Sequence, residues 1–201
     1  MSYPPTVVYD PLPAIVEELL GCLEDRLTEI GAPPCRAVWH PGSSVPWDAC
    51  GTTTAGAEGQ AWVAVPRVFP SDNFPAETTD AHRCFPRGYA AEITVGVLRC
   101  AATLDEHGRP PPPEDVLADA RKQSRDRQAS LETIVCCLMG EDADPGIYRL
   151  GGWTPLGPDG GCVGGAWTVT VAVDSCRCPD LVEDEGGFGI DPFGTSPFGG
   201  E

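Results

Sequence analysis

Apolar residues recur every three to four positions from Pro13 onward, in AIVEELLGCLEDRLTEIG. Ile15, Leu19, Leu23 and Leu27 fall on one stripe with Val16, Leu20 and Ile30 beside them, while Glu17, Glu18, Glu24, Asp25 and Glu29 fill the other side. This period predicts an amphipathic helix, with Asp10 as cap, Pro11 or Pro13 in its first turn and Gly31 as its stop. A second helical period runs from about Pro113 to Met139. Leu117, Ala120, Leu131, Ile134, Val135 and Leu138 are its expected buried stripe, RKQSRDRQ is a polar middle, and Gly140 ends it. Pro113-Glu114-Asp115 suits a helix opening, since proline lacks only an N–H that is orphaned there and the acids face the positive dipole end.

Between and after these helices the period falls to two. Tyr89 to Cys100 places Ala91, Ile93, Val95 and Val97 on one side, with Glu92, Thr94 and Gly96 on the other, as in a strand with one face on a core. Cys35 to His40 makes a short strand. Gln60 to Phe69 makes another, in which Pro66 requires an edge position, a bulge or two shorter pieces. Ile147 to Thr154 and Cys162 to Val173 read as a hairpin closed by the turn sequence Pro155 to Gly161. The expected fold is therefore α+β in the order α-β-β-β-α-β-β. It is a single domain with a roughly five-stranded, mainly antiparallel sheet, two helices packed on one face, long loops and an extended C-terminal tail.

Composition refines the boundaries. The 24 Gly and 22 Pro exceed ordinary usage and belong in turns, loops and tails. Residues 1–12 read as an N-terminal extension, 13–174 as the domain, and 175–201 as an acidic, Gly/Pro/Phe-rich tail. The loops 41–59 and 70–87 carry Trp47, Phe74 and Phe85, more aromatic surface than passive linkers need. The tail repeats Phe-Gly at Phe188, Phe193 and Phe198. These six aromatics are the candidate contacts to other subunits or partners, because loop aromatics often dominate interface energy. The competing account is that each packs on its own domain.

A formal net charge of −17 argues against a general nucleic-acid or anionic-membrane binder. The basic stretch Arg121, Lys122, Arg125 and Arg127 reads first as a solvated helix face. No signal peptide and no membrane-length apolar run is visible, so synthesis in the cytoplasm is expected. Of ten cysteines, Cys22, Cys100, Cys136 and Cys137 lie in or beside apolar runs and read as small hydrophobic core thiols. Disulfides formed in a mature particle, or a metal site, are the alternatives. No C-x-x-C spacing is present and no cofactor is expected. The sequence lacks nucleotide-binding and hydrolase motifs, and His40, His82 and His107 all sit in or beside Pro/Gly-rich stretches. The expectation is no catalytic residue and no metal ligand, hence not an enzyme.

Four stretches resemble the tail terminator, or tail completion, proteins of actinobacterial long-tailed phages: CRAVWHPGSSVPWDACG from Cys35, QAWVAVPRVFPSDNFP from Gln60, YAAEITVGVLRC from Tyr89, and GGWTPLGPDGGCVGGAWTVTV from Gly151. The likeness covers roughly Leu12 to Asp174. It implies a virion protein forming a homohexameric ring at the head-proximal end of the tail tube. Such a ring stops tube polymerisation and docks the tail to the head–tail stopper protein. Its partners would be copies of itself, the tail tube protein and the stopper, with DNA passing through without specific binding and no membrane involved. An acidic ring would let DNA slide. The rival readings are another head–tail connector protein, stopper or adaptor, and an unrelated cytoplasmic binding module.

Overall fold

The computed structural model describes residues 10–45, 57–79, 88–140, 144, 146–159 and 161–173. Helix α1 spans Leu12–Glu29, strand β1 Arg36–His40, β2 Gln60–Pro70 and β3 Tyr89–Cys100. Helix α2 spans Pro113–Thr133 and runs on into a π-helical turn, Ile134–Leu138, before β4 at Tyr148–Asp159 and β5 at Cys162–Val173. The sheet order is β1-β2-β3-β5-β4. All neighbours are antiparallel except β1 and β2, which run parallel. The element order and fold class are those read from the sequence.

Helix α1 forms as its period dictates. Asp10 Oδ1 accepts the Leu12 N–H at 3.0 Å, satisfying one of the orphan donors at the helix start. At the other end Gly31 takes φ +70°, a left-handed conformation that L side chains resist. The chain turn there is sealed by Ala32 N–H to Leu27 O at 2.8 Å and Gly31 N–H to Thr28 O at 3.0 Å. Val16, Leu19, Leu23 and Leu27 are fully buried against Ala61 and Val63 of β2, Ile93, Val95 and Val97 of β3, and Val169 and Val171 of β5. Both helices cover this one face. The opposite face holds a smaller cluster, Trp62, Ala64, Leu98 and Ala166.

Pro66 is accommodated by a bulge between Ala64 and Arg67. Strand β1 pairs only with residues 60–64, so the missing proline N–H falls past the end of that ladder. The hairpin differs from the expected one. Pro155 to Asp159 continues β4 instead of forming the turn, with breaks in register after Leu150 and Leu156. An edge strand tolerates prolines and bulges because one side of its backbone needs no partner. Trp153 anchors it, stacking edge-on against Trp167 of β5 with ring centres 6.0 Å apart.

Helix α2 departs most from the reading. Ile134 and Leu138 are buried and Leu131 is half-buried, but Leu117, Ala120 and Val135 are exposed. The side facing the body is polar. Asp119 Oδ2 accepts the Ala102 N–H at 2.7 Å, Gln123 Nε2 donates to Gly164 O at 3.1 Å, and Lys122 Nζ donates to the Glu58 carboxylate at 3.1 and 3.2 Å. Deeper in, the Arg99 guanidinium of β3 donates to both Asp126 oxygens at 2.9 and 3.1 Å, and to the carbonyls of Ala32, Pro33 and Glu58. Both side chains are at most 4% exposed. Buried Ser130 and Thr133 donate to helix carbonyls one turn back. A buried charge pair persists only when its remaining donors are also satisfied, and these contacts meet that need.

Cysteine chemistry also corrects the reading of inert core thiols. Cys22 of α1 and Cys137 of the π-helical turn form a disulfide, and Cys162 is disulfide-bonded as well. Cys136 is exposed, not part of the core. Apolar surroundings at α1 and the π-helical turn explain why these cysteines looked like hydrophobes; their partners across the helix pair were not visible in one dimension.

Two stability outcomes follow. Asp126→Ala, which leaves the guanidinium buried without its carboxylate, is expected to cost about 3–5 kcal/mol in urea unfolding. Arg99→Met combined with Asp126→Leu should cost less than Asp126→Ala alone. Cys22→Ser opens a link across 115 residues of chain and should lower stability by about 2–4 kcal/mol; reductant added to the parent protein, which also opens the disulfide of Cys162, should lower it at least as much.

Candidate functional site

Three surfaces of the domain have the chemistry to hold something. The first lies on the helix-free face of the sheet. Trp62 of β2 lies flat over Gly96 of β3, where a Cβ would meet its ring at 2.6 Å, so glycine is required for this close approach. Around it Thr94, Leu98, Leu156 and Ala166 form a floor, and Ser43 to Val45 form one rim. The resulting groove has a volume of about 320 Å³, larger than the ~150 Å³ cavity that accepts benzene. Trp62 is 4% exposed and its indole N–H has no hydrogen-bond partner among the described residues. Hydroxyls and apolar groups line the groove, with no carboxylate or imidazole among its described walls, so it is suited to binding and not to proton transfer.

The second surface is a shallow pocket of about 230 Å³ beside Trp39, His40 and Val65. His40 Nε2 lies 2.7 Å from Gln60 Nε2, and Gln60 Oε1 accepts from Arg36 Nε at 2.7 Å. The Gln60 amide donates to that nitrogen, so its lone pair is already engaged. Nor does Cys100 have the character of a nucleophile. Burial pushes the Cys100 thiol above its usual range, and the nearby Glu58 charge adds to the shift, whereas a reactive thiol needs the opposite. Among the described residues no group of three His, Cys, Asp or Glu side chains is placed to hold a metal ion. No described helix is long and apolar enough to cross a membrane.

The third surface is the helix layer. On α2, Val116 and Leu117 are 53% and 51% exposed and lie one turn from Ala120 and Arg121. Arg125 and Arg127 continue this outward side, Arg125 lying 3.9 Å from Asp126. On α1 the outward side is acidic, with Glu17, Glu18, Glu24 and Asp25 exposed around Ala14 and Gly21. The helices are tied together near their C-terminal ends by the Cys22–Cys137 disulfide and by Arg26 pairing with Glu132. Hydrogen bonds from Gln128, then Arg26, hold the Glu132 carboxyl below its ordinary pKa.

Of the six aromatics singled out from sequence, Phe74 is the one within the described residues. It is half-buried, with the Arg149 guanidinium 5.7 Å from its ring centre, so it makes a contact within its own domain. Trp47, Phe85, Phe188, Phe193 and Phe198 lie outside the described residues. Sequence reading passed over Trp62, whose signal was the glycine directly across the ladder at position 96. It also turned the first half of α2 inside out.

Gly96→Ala is expected to displace the Trp62 ring and lower thermal stability by the equivalent of about 1–3 kcal/mol, with a changed near-ultraviolet circular dichroism spectrum as the local readout. In comparison with known proteins, the sequence matches no family model and no curated protein.

Proposed function

We propose that this chain is a ring-forming tail terminator at the head–tail junction of a long-tailed phage. The observation that supports it best is architectural. A five-stranded open sheet carries both helices on one face, the arrangement that the resemblance in the four sequence stretches implies. Such a sheet leaves one broad face, two edge strands and a helix layer for contact with other chains. The described pockets offer hydroxyl and apolar groups and the single imidazole of His40, whose Nε2 is held by Gln60, in place of an assembled acid–base set, which favours an association role. Net charge of −17 suits a collar through which DNA slides, since binding DNA tightly would require basic groups to displace its counterions.

In this role the subunit works by geometry. Copies close around the tube end, bury the surface on which the next tube ring would add, and present a fresh face to the stopper protein. The tail with Phe188, Phe193 and Phe198 then serves as a strap to a neighbouring subunit or to the tube.

Light scattering and negative-stain imaging of the full chain test this directly. Closed rings of about six copies that bind purified tail tubes are the expected result. A monomer that also fails to bind tubes would overturn the proposal and favour an unrelated binding module. Deleting residues 186–201 should leave the thermal transition unchanged while reducing tube joining at least tenfold; wild-type joining by that deletion would remove the strap from the account.

A further inference from the structure

The two outward helix faces are complementary to each other and sit where one molecule cannot bring them together. Cys22 meets Cys137 and Arg26 meets Glu132, so the numbering rises along α1 as it falls along α2. The helices are antiparallel and overlap through their C-terminal halves. The N-terminal half of each therefore projects past the end of the other, at opposite ends of the helix layer. At about 1.5 Å per residue, the stretch from Pro113 to Gln123 extends roughly 15 Å beyond the overlap.

The projecting half of α2 and the outward side of α1 differ in character. On α2, Leu117 stands out from the surface beside Arg121, with Arg125 one turn on. An exposed leucine next to unburied arginines is the composition of a contact surface more than of a solubilising one. Arg121 enters no ion pair among the described residues. On α1 the centre of the outward side is Gly21, where a Cβ would meet nothing within 4 Å. Glu17 and Glu24 flank it, also without ion pairs among the described residues.

We infer that the first half of α2 in one copy docks on the outward face of α1 in the next copy. Leu117 packs beside Gly21, and the basic row of Arg121 and Arg125 faces the acidic outward side of α1 that carries Glu17 and Glu24. This inference rests on the ring reading and names the surfaces that would close it. Two different patches on one layer make a head-to-tail contact, which yields a ring when the rotation closes and a filament when it does not. The local match also answers a general difficulty. Copies each carrying a charge of −17 repel one another, so association needs a place where opposite charges meet and fix the register.

The test uses charge reversal in the full-length chain, read by light scattering over a range of concentrations. Circular dichroism melting serves as the folding control, since all four side chains are exposed. Arg121→Glu with Arg125→Glu, and separately Glu17→Arg with Glu24→Arg, should each weaken self-association at least tenfold. All four changes in one chain should restore it, because every junction then regains opposite charges. Double variants that associate like the parent would overturn this contact and leave the ring to be closed by other surfaces. Failure of the fourfold variant to recover would also overturn it, marking the losses as an effect of overall charge. A parent that is monomeric at every concentration sinks the contact, while the ring reading is then decided by binding to tail tubes.

Discussion

The guanidinium of Arg99 holds three parts of the chain that otherwise have little apolar reason to meet. It reaches Asp126 in the middle of α2, the carbonyls of Ala32 and Pro33 just after α1, and the carbonyl of Glu58 just before β2. An arginine can do this because its donors are fixed in a plane and spread in several directions, whereas a lysine offers one compact charge. Removing two charges from water is costly, and the cost is offset here by a carboxylate and three backbone oxygens together. The same contacts give partners to the Ala32 and Glu58 carbonyls at these bends, while the Pro33 carbonyl also accepts the Glu58 N–H at 3.1 Å.

This arrangement explains why α2 has a polar inside. A helix held to a sheet by apolar packing shows its polar side to water. Here Asp119, Lys122, Gln123 and Asp126 recur at helical spacing and all point inward to specific partners. With the inner side committed to hydrogen bonds, Val116 and Leu117 are left outside. The exposed apolar ridge is thus a consequence of how the interior is built, and its basic flank distinguishes this side of the molecule from the acidic α1.

How much of this could be read in one dimension varied by element. The α1 stripe and the strict alternation of β3 and β5 are strong periodic signals, because each has one apolar side with no competing pattern. Pro66 was correctly a marker of irregularity, and the bulge beside it is one of the solutions foreseen. Pro155 misled, since the same residue that breaks a central strand is tolerated along an edge such as β4. Leu117 misled for a deeper reason: a polar stripe and an apolar stripe with one period are equally good at defining a face, and hydropathy alone says only that the apolar one goes in. The pairing of Cys22 with Cys137 depends on the third dimension, as does the groove around Trp62. Among the expected aromatic contacts, Phe74 could be placed, and it rests beside Arg149.

A polar seam also has mechanical character. Apolar packing fixes a helix by shape alone, whereas hydrogen bonds add a directional requirement, because each donor and acceptor must keep its distance and angle. Held through Asp119, Gln123 and Asp126 along its length, α2 behaves as a keyed shaft set against β3 and β5. The seam therefore sets the axial register of α2, and through Arg99 the same setting is shared with the bends at 32–33 and 58.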